Sequence, residues 1–181
     1  DMIRVMLVDD HAVVRMGFRM LLSTADIEVV AEADSGEQAC RDYPQLRPDV
    51  VVMDISMPGM GGLEALRRLL AHDAAVRVLM LSAHEATAYP QRVLKAGALG
   101  YLSKRGAPEA LIDAVRTVAA GRRYVDAQLA QRLALAQIEG EASPSDVLTE
   151  REFAVFLQLA QGHSVAQIAE NLKLASSTVG T

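Results

Sequence analysis

The chain has 181 residues, 51% of them apolar, and carries a formal net charge of −5. It can therefore bury a sizeable core, which excludes a disordered chain, and its mild acidity argues against a nucleic-acid coat or a polybasic membrane anchor. Its one cysteine, Cys40, excludes an internal disulfide, and no apolar run approaches a membrane span of about 18 residues. A soluble, cytoplasmic protein with no membrane contact is expected.

Met2 is the expected natural start, with Asp1 an addition. Short apolar runs rich in β-branched residues then recur: Ile3–Val8, Ile27–Ala31, Val50–Met53, Val76–Leu81 and Ala98–Leu102. Between them lie segments with helical spacing. Val14, Phe18, Leu21 and Leu22 share one face, as do Leu63, Leu66, Leu69 and Leu70. Ser35-Gly36-Glu37-Gln38 resembles a capping box that opens a helix. Pro108 and Gly121 frame another helix, running through Val118. Repeated strand–helix alternation predicts an α/β fold: a doubly wound, five-stranded parallel sheet with helices on both faces. Strands buried on both faces read as continuous apolar runs, and these do.

After Gly121 the pattern changes. Asp126 to Ile138 reads as helical, and Glu139 to Ser145 as a polar linker. Only helical patterns follow, over Thr149–Ala160 and Ser164–Leu172, with a third helix expected to begin near Ser176. Thr149-Glu150-Arg151-Glu152 and Ser164-Val165-Ala166-Gln167 both fit capping boxes. The cysteine sits within a helical segment and reads as an inert core or boundary thiol, and the methionines read as core filler.

In parallel α/β sheets, ligands bind at the carboxyl ends of the strands. Asp9 and Asp10 follow the first strand, and Asp54 ends the third. Ser82 follows the fourth and Lys104 the fifth. Any one such acid is more often a solvated loop residue or a helix cap, and Asp10 could simply cap the first helix. The conjunction argues otherwise. Clustered carboxylates repel one another and suit a hard divalent cation, Mg²⁺ above all, while Lys104 suits a phosphoryl oxygen. His11, His72 and His163 have no partners at metal-site spacing and read as surface or cap residues. His84 reads as an exposed loop residue.

The stretches Val8-Asp9-Asp10-His11, Met53-Asp54-Ile55-Ser56-Met57-Pro58-Gly59, Leu81-Ser82-Ala83-His84 and Gly97 to Lys104 resemble the receiver domain of bacterial two-component response regulators. The resemblance covers residues 2–121. Leu148 to Glu152, Gln161 to Ser164 and Ile168 to Glu170 resemble the helix-turn-helix output domain of the LuxR/NarL/FixJ class, within which the chain is similar to the GacA/UvrY group. The resemblance implies a flavodoxin-like receiver at 2–121, a partly helical linker at 122–147 and the start of a DNA-binding domain at 148–181. It implies that Asp54 accepts a phosphoryl group from a sensor histidine kinase. Asp9, Asp10, Asp54 and the backbone carbonyl of Ser56 would hold Mg²⁺, Lys104 would neutralise phosphoryl charge, and Ser82 and Tyr101 would act as switch residues. It also implies dimerisation on activation and binding to promoter DNA, with Ser176, Ser177 and Thr178 opening the recognition helix. Arg105 follows Lys104 where many receivers carry proline, so no proline-based cis bond is expected there.

From Gly121 onward, Arg122, Arg123, Arg132, Arg151 and Lys173 are outnumbered by Asp126, Glu139, Glu141, Asp146, Glu150, Glu152 and Glu170. A DNA-binding face should be basic, so the module is expected to be truncated and to bind DNA poorly as it stands. Two rivals remain. One is a stand-alone receiver that acts by protein contact. The other is an aspartate-nucleophile phosphatase, which wants a second Asp where this chain has Ser56. Apart from supporting its own phosphorylation and dephosphorylation, the chain is not expected to be an enzyme.

Overall fold

The computed structural model describes residues 1–83, 88–106 and 108–125, together with 130, 131, 134 and 135. Strands and helices alternate: β1 (Ile3–Val8), α1 (Ala12–Leu22), β2 (Ile27–Ala33), α2 (Gly36–Leu46), β3 (Val50–Asp54), α3 (Gly62–His72), β4 (Val78–Ser82), α4 (Ala88–Ala96), β5 (Gly100–Ser103) and α5 (Pro108–Ala119). Every ladder is parallel, and the strand order is β2-β1-β3-β4-β5. The order reverses between β1 and β3, which is where such sheets open a crevice. Asp9 and Asp54 flank that point.

Both faces are covered. Alternate residues of β1 divide between two cores. Val5 and Leu7 pack with Leu22, Leu111, Val115 and Val118 under α1 and α5. Met6 and Val8 pack with Ala39, Leu66, Leu69 and Val93 under α2, α3 and α4. The central strands β3 and β4 are buried at every position. Leu66 is 0% exposed, so truncating it to alanine would cost about 2–5 kcal/mol.

Local chemistry sets the helix ends. The Ser35 side chain accepts from the Gln38 backbone N–H, as a capping box requires. The return bond differs by one position: Gln38 Oε1 accepts from the backbone of Asp34, not Ser35. At the far end of α5, Gly121 takes a left-handed conformation at φ +79°, and Arg122 N–H reaches the Thr117 carbonyl. Gly121 N–H donates to Val118, completing a glycine-terminated helix stop.

Two sequence expectations shift. Val76 and Ala98 lie outside the strands; Val76 N–H donates to Asp73 and Ala98 N–H to Val93, so both close turns and pack in the core. The methionines are not all core filler: Met16 and Met20 lie 61% and 65% exposed on the outer face of α1 beside Val13, and Met2 is exposed as well. Most of the expected 126–138 helix lies outside the described residues, as do the 139–145 linker and the helix-turn-helix; residues 130, 131, 134 and 135 are helical.

The segment after Gly121 returns to the sheet. Tyr124 forms a parallel bridge with Gly100. Tyr124 N–H donates to the Leu99 carbonyl, and Tyr101 N–H donates to the Tyr124 carbonyl. Gly100 permits this approach, because a Cβ there would sit 3.3 Å from Tyr124 Cβ and 2.8 Å from Leu79.

Candidate functional site

Each acid is carried to the crevice by the end of a strand. Asp9 follows β1 directly and Asp54 is the last residue of β3. Burial leaves them only 2% and 4% exposed. Ser82 closes β4 and is 0% exposed. Lys104 follows β5, and its backbone N–H donates to the Ser82 carbonyl, which seats it opposite the acids.

The Lys104 ammonium lies between two carboxylates. It donates to Asp9 Oδ2 at 2.6 Å and to Asp54 Oδ2 at 3.0 Å. The other Asp54 oxygen, Oδ1, accepts from the backbone N–H of Ser56 at 3.2 Å. Burial pushes the Asp54 carboxyl above its ordinary range, with the Lys104 charge opposing and the Asp9 charge reinforcing that shift. For Lys104, burial alone would lower the ammonium; the Asp54 charge and the Asp9 hydrogen bond outweigh it, and the net shift is upward. The two shifts differ in origin: burial drives that of Asp54, and the attraction of two acids drives that of Lys104 against burial.

The loop after β3 is held against α3. Gly62 opens α3 so close to the strand that a Cβ there would fall 2.4 Å from the Asp54 carbonyl oxygen. Gly59 turns the loop at φ +74°, and the Glu37 carboxylate accepts from Met60 N–H at 3.3 Å. Tyr101, on β5, is buried in the same core cluster as Met53, Met80 and Val93.

Two residues join the site that motif reading did not place there. His11 occupies the N-cap position of α1 but makes no cap bond through its side chain. Its backbone N–H donates to Asp9 Oδ1 at 2.9 Å, and its Nδ1 lies 3.2 Å from both Asp9 Oδ1 and Asp10 Oδ1. Arg15, a turn further along α1, donates to the Asp9 carbonyl oxygen and to Glu32 at the end of β2. His11 adjoins the acidic pair in sequence, so adjacency was the available signal; nothing in the spacing marked Arg15. Asp10 does not cap α1. Its Oδ1 is buried with no hydrogen bond, since the His11 nitrogen is near it but not aligned.

Ligand atoms of Asp9, Asp10, His11 and Asp54 all fall within 4.8 Å of one another. An oxygen-rich set with an orphaned buried carboxylate oxygen fits a hard divalent cation, so the donor chemistry suits Mg²⁺. Arg105 follows Lys104, and no cis peptide bond occurs among the described residues. His84, His163, Ser176, Ser177 and Thr178 lie outside the described residues.

Comparison with known proteins agrees with this geometry. Residues 5–116 match the response regulator receiver domain, and residues 146–181 match the luxR family of bacterial regulatory proteins. The chain is 45% identical to response regulator UvrY of Escherichia coli, across 99% of this chain and 84% of that protein. It is 43% identical to response regulator GacA of Pseudomonas aeruginosa, across 99% and 86%. Among solved structures, a LuxR-family two-component response regulator from Aurantimonas is 40% identical, with a TM-score of 0.73 over 76% of this chain and 99% of that one. The regulator RcsB of Salmonella enterica serovar Typhimurium, solved bound to a promoter with the phosphomimetic BeF₃⁻, is 25% identical with a TM-score of 0.76 over 99% and 88%. These relatives are all response regulators. With a receiver crevice and a luxR-type match in one chain, the protein belongs to the response regulators of two-component systems, homologous to the UvrY and GacA transcription regulators.

Proposed function

We propose that Asp54 is the phosphoacceptor, that a sensor histidine kinase is the donor, and that the modification governs dimerisation and binding to promoter DNA from the cytoplasm. The observation that carries this reading is the buried Asp54 carboxylate, held by an ammonium it shares with Asp9 at the switch point of the sheet. An Asp54 oxygen attacks the phosphorus of a phosphohistidine. The new P–O bond forms as the P–N bond breaks, and the imidazole leaves with the electron pair and takes up a proton. Lys104 neutralises charge developing on the phosphoryl oxygens, and the rigid strand holds the nucleophile in place. Asp9, Asp10, Asp54 and the Ser56 backbone carbonyl are the ligands assigned to Mg²⁺, which when bound supplies further charge neutralisation and orientation. Ser82 is assigned to the new phosphoryl group, and Tyr101 to the repacking that follows.

In this reading residues 2–121 form the receiver, 122–147 the linker and 148–181 the start of the output domain, with Ser176, Ser177 and Thr178 opening the DNA-reading helix. The luxR-family match at 146–181 and the promoter-bound state of RcsB favour a DNA output over a receiver acting by protein contact alone. Intact mass after incubation with acetyl phosphate and Mg²⁺ tests the chemistry. The wild type gains one phosphoryl group and Asp54→Asn does not. An equal gain by the variant overturns the assignment.

A further inference from the structure

We propose that Arg15, braced by Glu32, is a positioning residue of the acidic pocket: it holds the peptide between Asp9 and Asp10, and so aims the Asp10 carboxylate and sets how tightly the pocket takes Mg²⁺. The proposal rests on the reading of this pocket as the Mg²⁺ site. It adds two residues that are not among the ligands assigned there.

Asp10 is the acid least held by its own side chain. Asp9 and Asp54 share the Lys104 ammonium, and the second oxygen of each accepts from a backbone N–H. Asp10 Oδ1 is buried and makes no hydrogen bond, and the His11 ring near it is itself 65% exposed. The aim of this carboxylate therefore falls to the backbone. Asp9 N–H donates to the Ala33 carbonyl, which fixes the peptide before Asp9 against β2. The next peptide, which leads into Asp10, lies beyond the β1 ladder. Its carbonyl oxygen, that of Asp9, accepts from the Arg15 guanidinium.

Glu32 completes the brace. Arg15 Nε lies 3.3 Å from Glu32 Oε1, and Arg19 holds the other oxygen at 2.6 Å. The Arg15 side chain is only 17% exposed. Its planar fork spans both acceptors and has little freedom left, which a flexible ammonium would not match. Glu32 also offsets the Arg15 charge, which standing alone would repel a cation.

Charge and geometry predict opposite signs. Removing a cation beside an acidic pocket should tighten Mg²⁺ binding. Removing a group that orients a ligand should weaken it, by about 10–100-fold for partners of this kind.

The test is calorimetric titration of the full 181-residue chain with MgCl₂. Wild type, Arg15→Met, Glu32→Gln, the double variant and Asp10→Asn are compared. Arg15→Met should weaken Mg²⁺ about tenfold. Glu32→Gln should add less than about twofold once Arg15 is replaced, because it acts through Arg15. Phosphorylation by acetyl phosphate separates aim from general damage. Arg15→Met should need about tenfold more Mg²⁺ for half its maximal rate. The rate at saturating Mg²⁺ should stay near that of wild type, since β3 carries Asp54 independently. Unchanged or tighter Mg²⁺ binding in Arg15→Met overturns the proposal. So does full additivity of the two substitutions, or a lost maximal rate with an unchanged Mg²⁺ requirement. Mg²⁺ affinity insensitive to Asp10→Asn overturns instead the reading of the pocket as a cation site.

Discussion

Replacing Lys104 by methionine keeps the unbranched stem of the side chain and removes its ammonium group. The ammonium is 14% exposed and its partners Asp9 and Asp54 are 3% and 5% exposed, so this is a buried cluster and not a surface pair. At contacts of 2.6 and 3.0 Å and an effective dielectric of about 20, each attraction is worth about 6 kcal/mol before desolvation. The desolvation of Lys104 cancels much of that. What remains is the penalty for leaving buried carboxylates without their cation, about 3–5 kcal/mol. Protonation limits the loss. Burial already raises the Asp54 carboxyl, and without Lys104 it rises further. A carboxyl whose pKa is raised on folding contributes stability at low pH and loses it as pH climbs through the folded-state value. The deficit of Lys104→Met is therefore largest near neutrality and shrinks toward acid pH. A bound cation replaces the missing charge, so added Mg²⁺ should narrow the gap by mass action. Urea unfolding followed by circular dichroism, in EDTA and in Mg²⁺ at several pH values, measures all three effects. Equal midpoints for wild type and variant in EDTA at neutral pH would refute the reasoning.

Gly62→Ala should cost about 1–3 kcal/mol in thermal or urea unfolding, because its Cβ would meet the backbone of Asp54 and Ile55 at 2.4 and 2.7 Å; a neutral effect would mean that α3 stands further from the strand. Tyr43, hydrogen-bonded to Asp73 at 2.8 Å, is pushed up to about 12 by burial and by that bond. Absorbance at alkaline pH should show the Tyr43 phenol ionising late, near 12, and Tyr43→Phe should remove that step. The stability it contributes is present below the ordinary tyrosine pKa and lost as pH rises through about 12. Sedimentation of the full-length protein should show stronger self-association when beryllofluoride stands in for the phosphoryl group on Asp54; no change would remove the link between the site and dimerisation.

The fold was legible wherever one residue's neighbours along the chain decide its state. β1 was read to its ends, and the glycine stop of α5 follows from the backbone freedom of Gly121. The strand-end acids and Lys104 were legible because a parallel sheet gathers its carboxyl ends along one edge. The misreadings arose where an apolar residue does something other than extend a strand. Val76 and Ala98 plug the core from turns, and hydropathy alone cannot tell a plug from a strand residue. Met16 and Met20 show the same limit from the other side, as apolar residues placed outward by the pitch of α1. His11 and Arg15 were missed as site residues because their contacts depend on how α1 leaves β1, a relation of direction that periodicity does not encode.

The Tyr124 bridge bears on where this chain can be cut. β5 closes one side of the sheet, and an open strand edge invites pairing with another molecule. Tyr124 occupies part of that edge, taking the Tyr101 N–H and satisfying the Leu99 carbonyl. A receiver fragment ended at Gly121, where the helix stops and the composition changes, would leave both groups bare beside the glycine that lets another backbone come near. Such a fragment should be more prone to associate edge to edge than one ended after Val125, and any dimer it formed would reflect the cut rather than the signal.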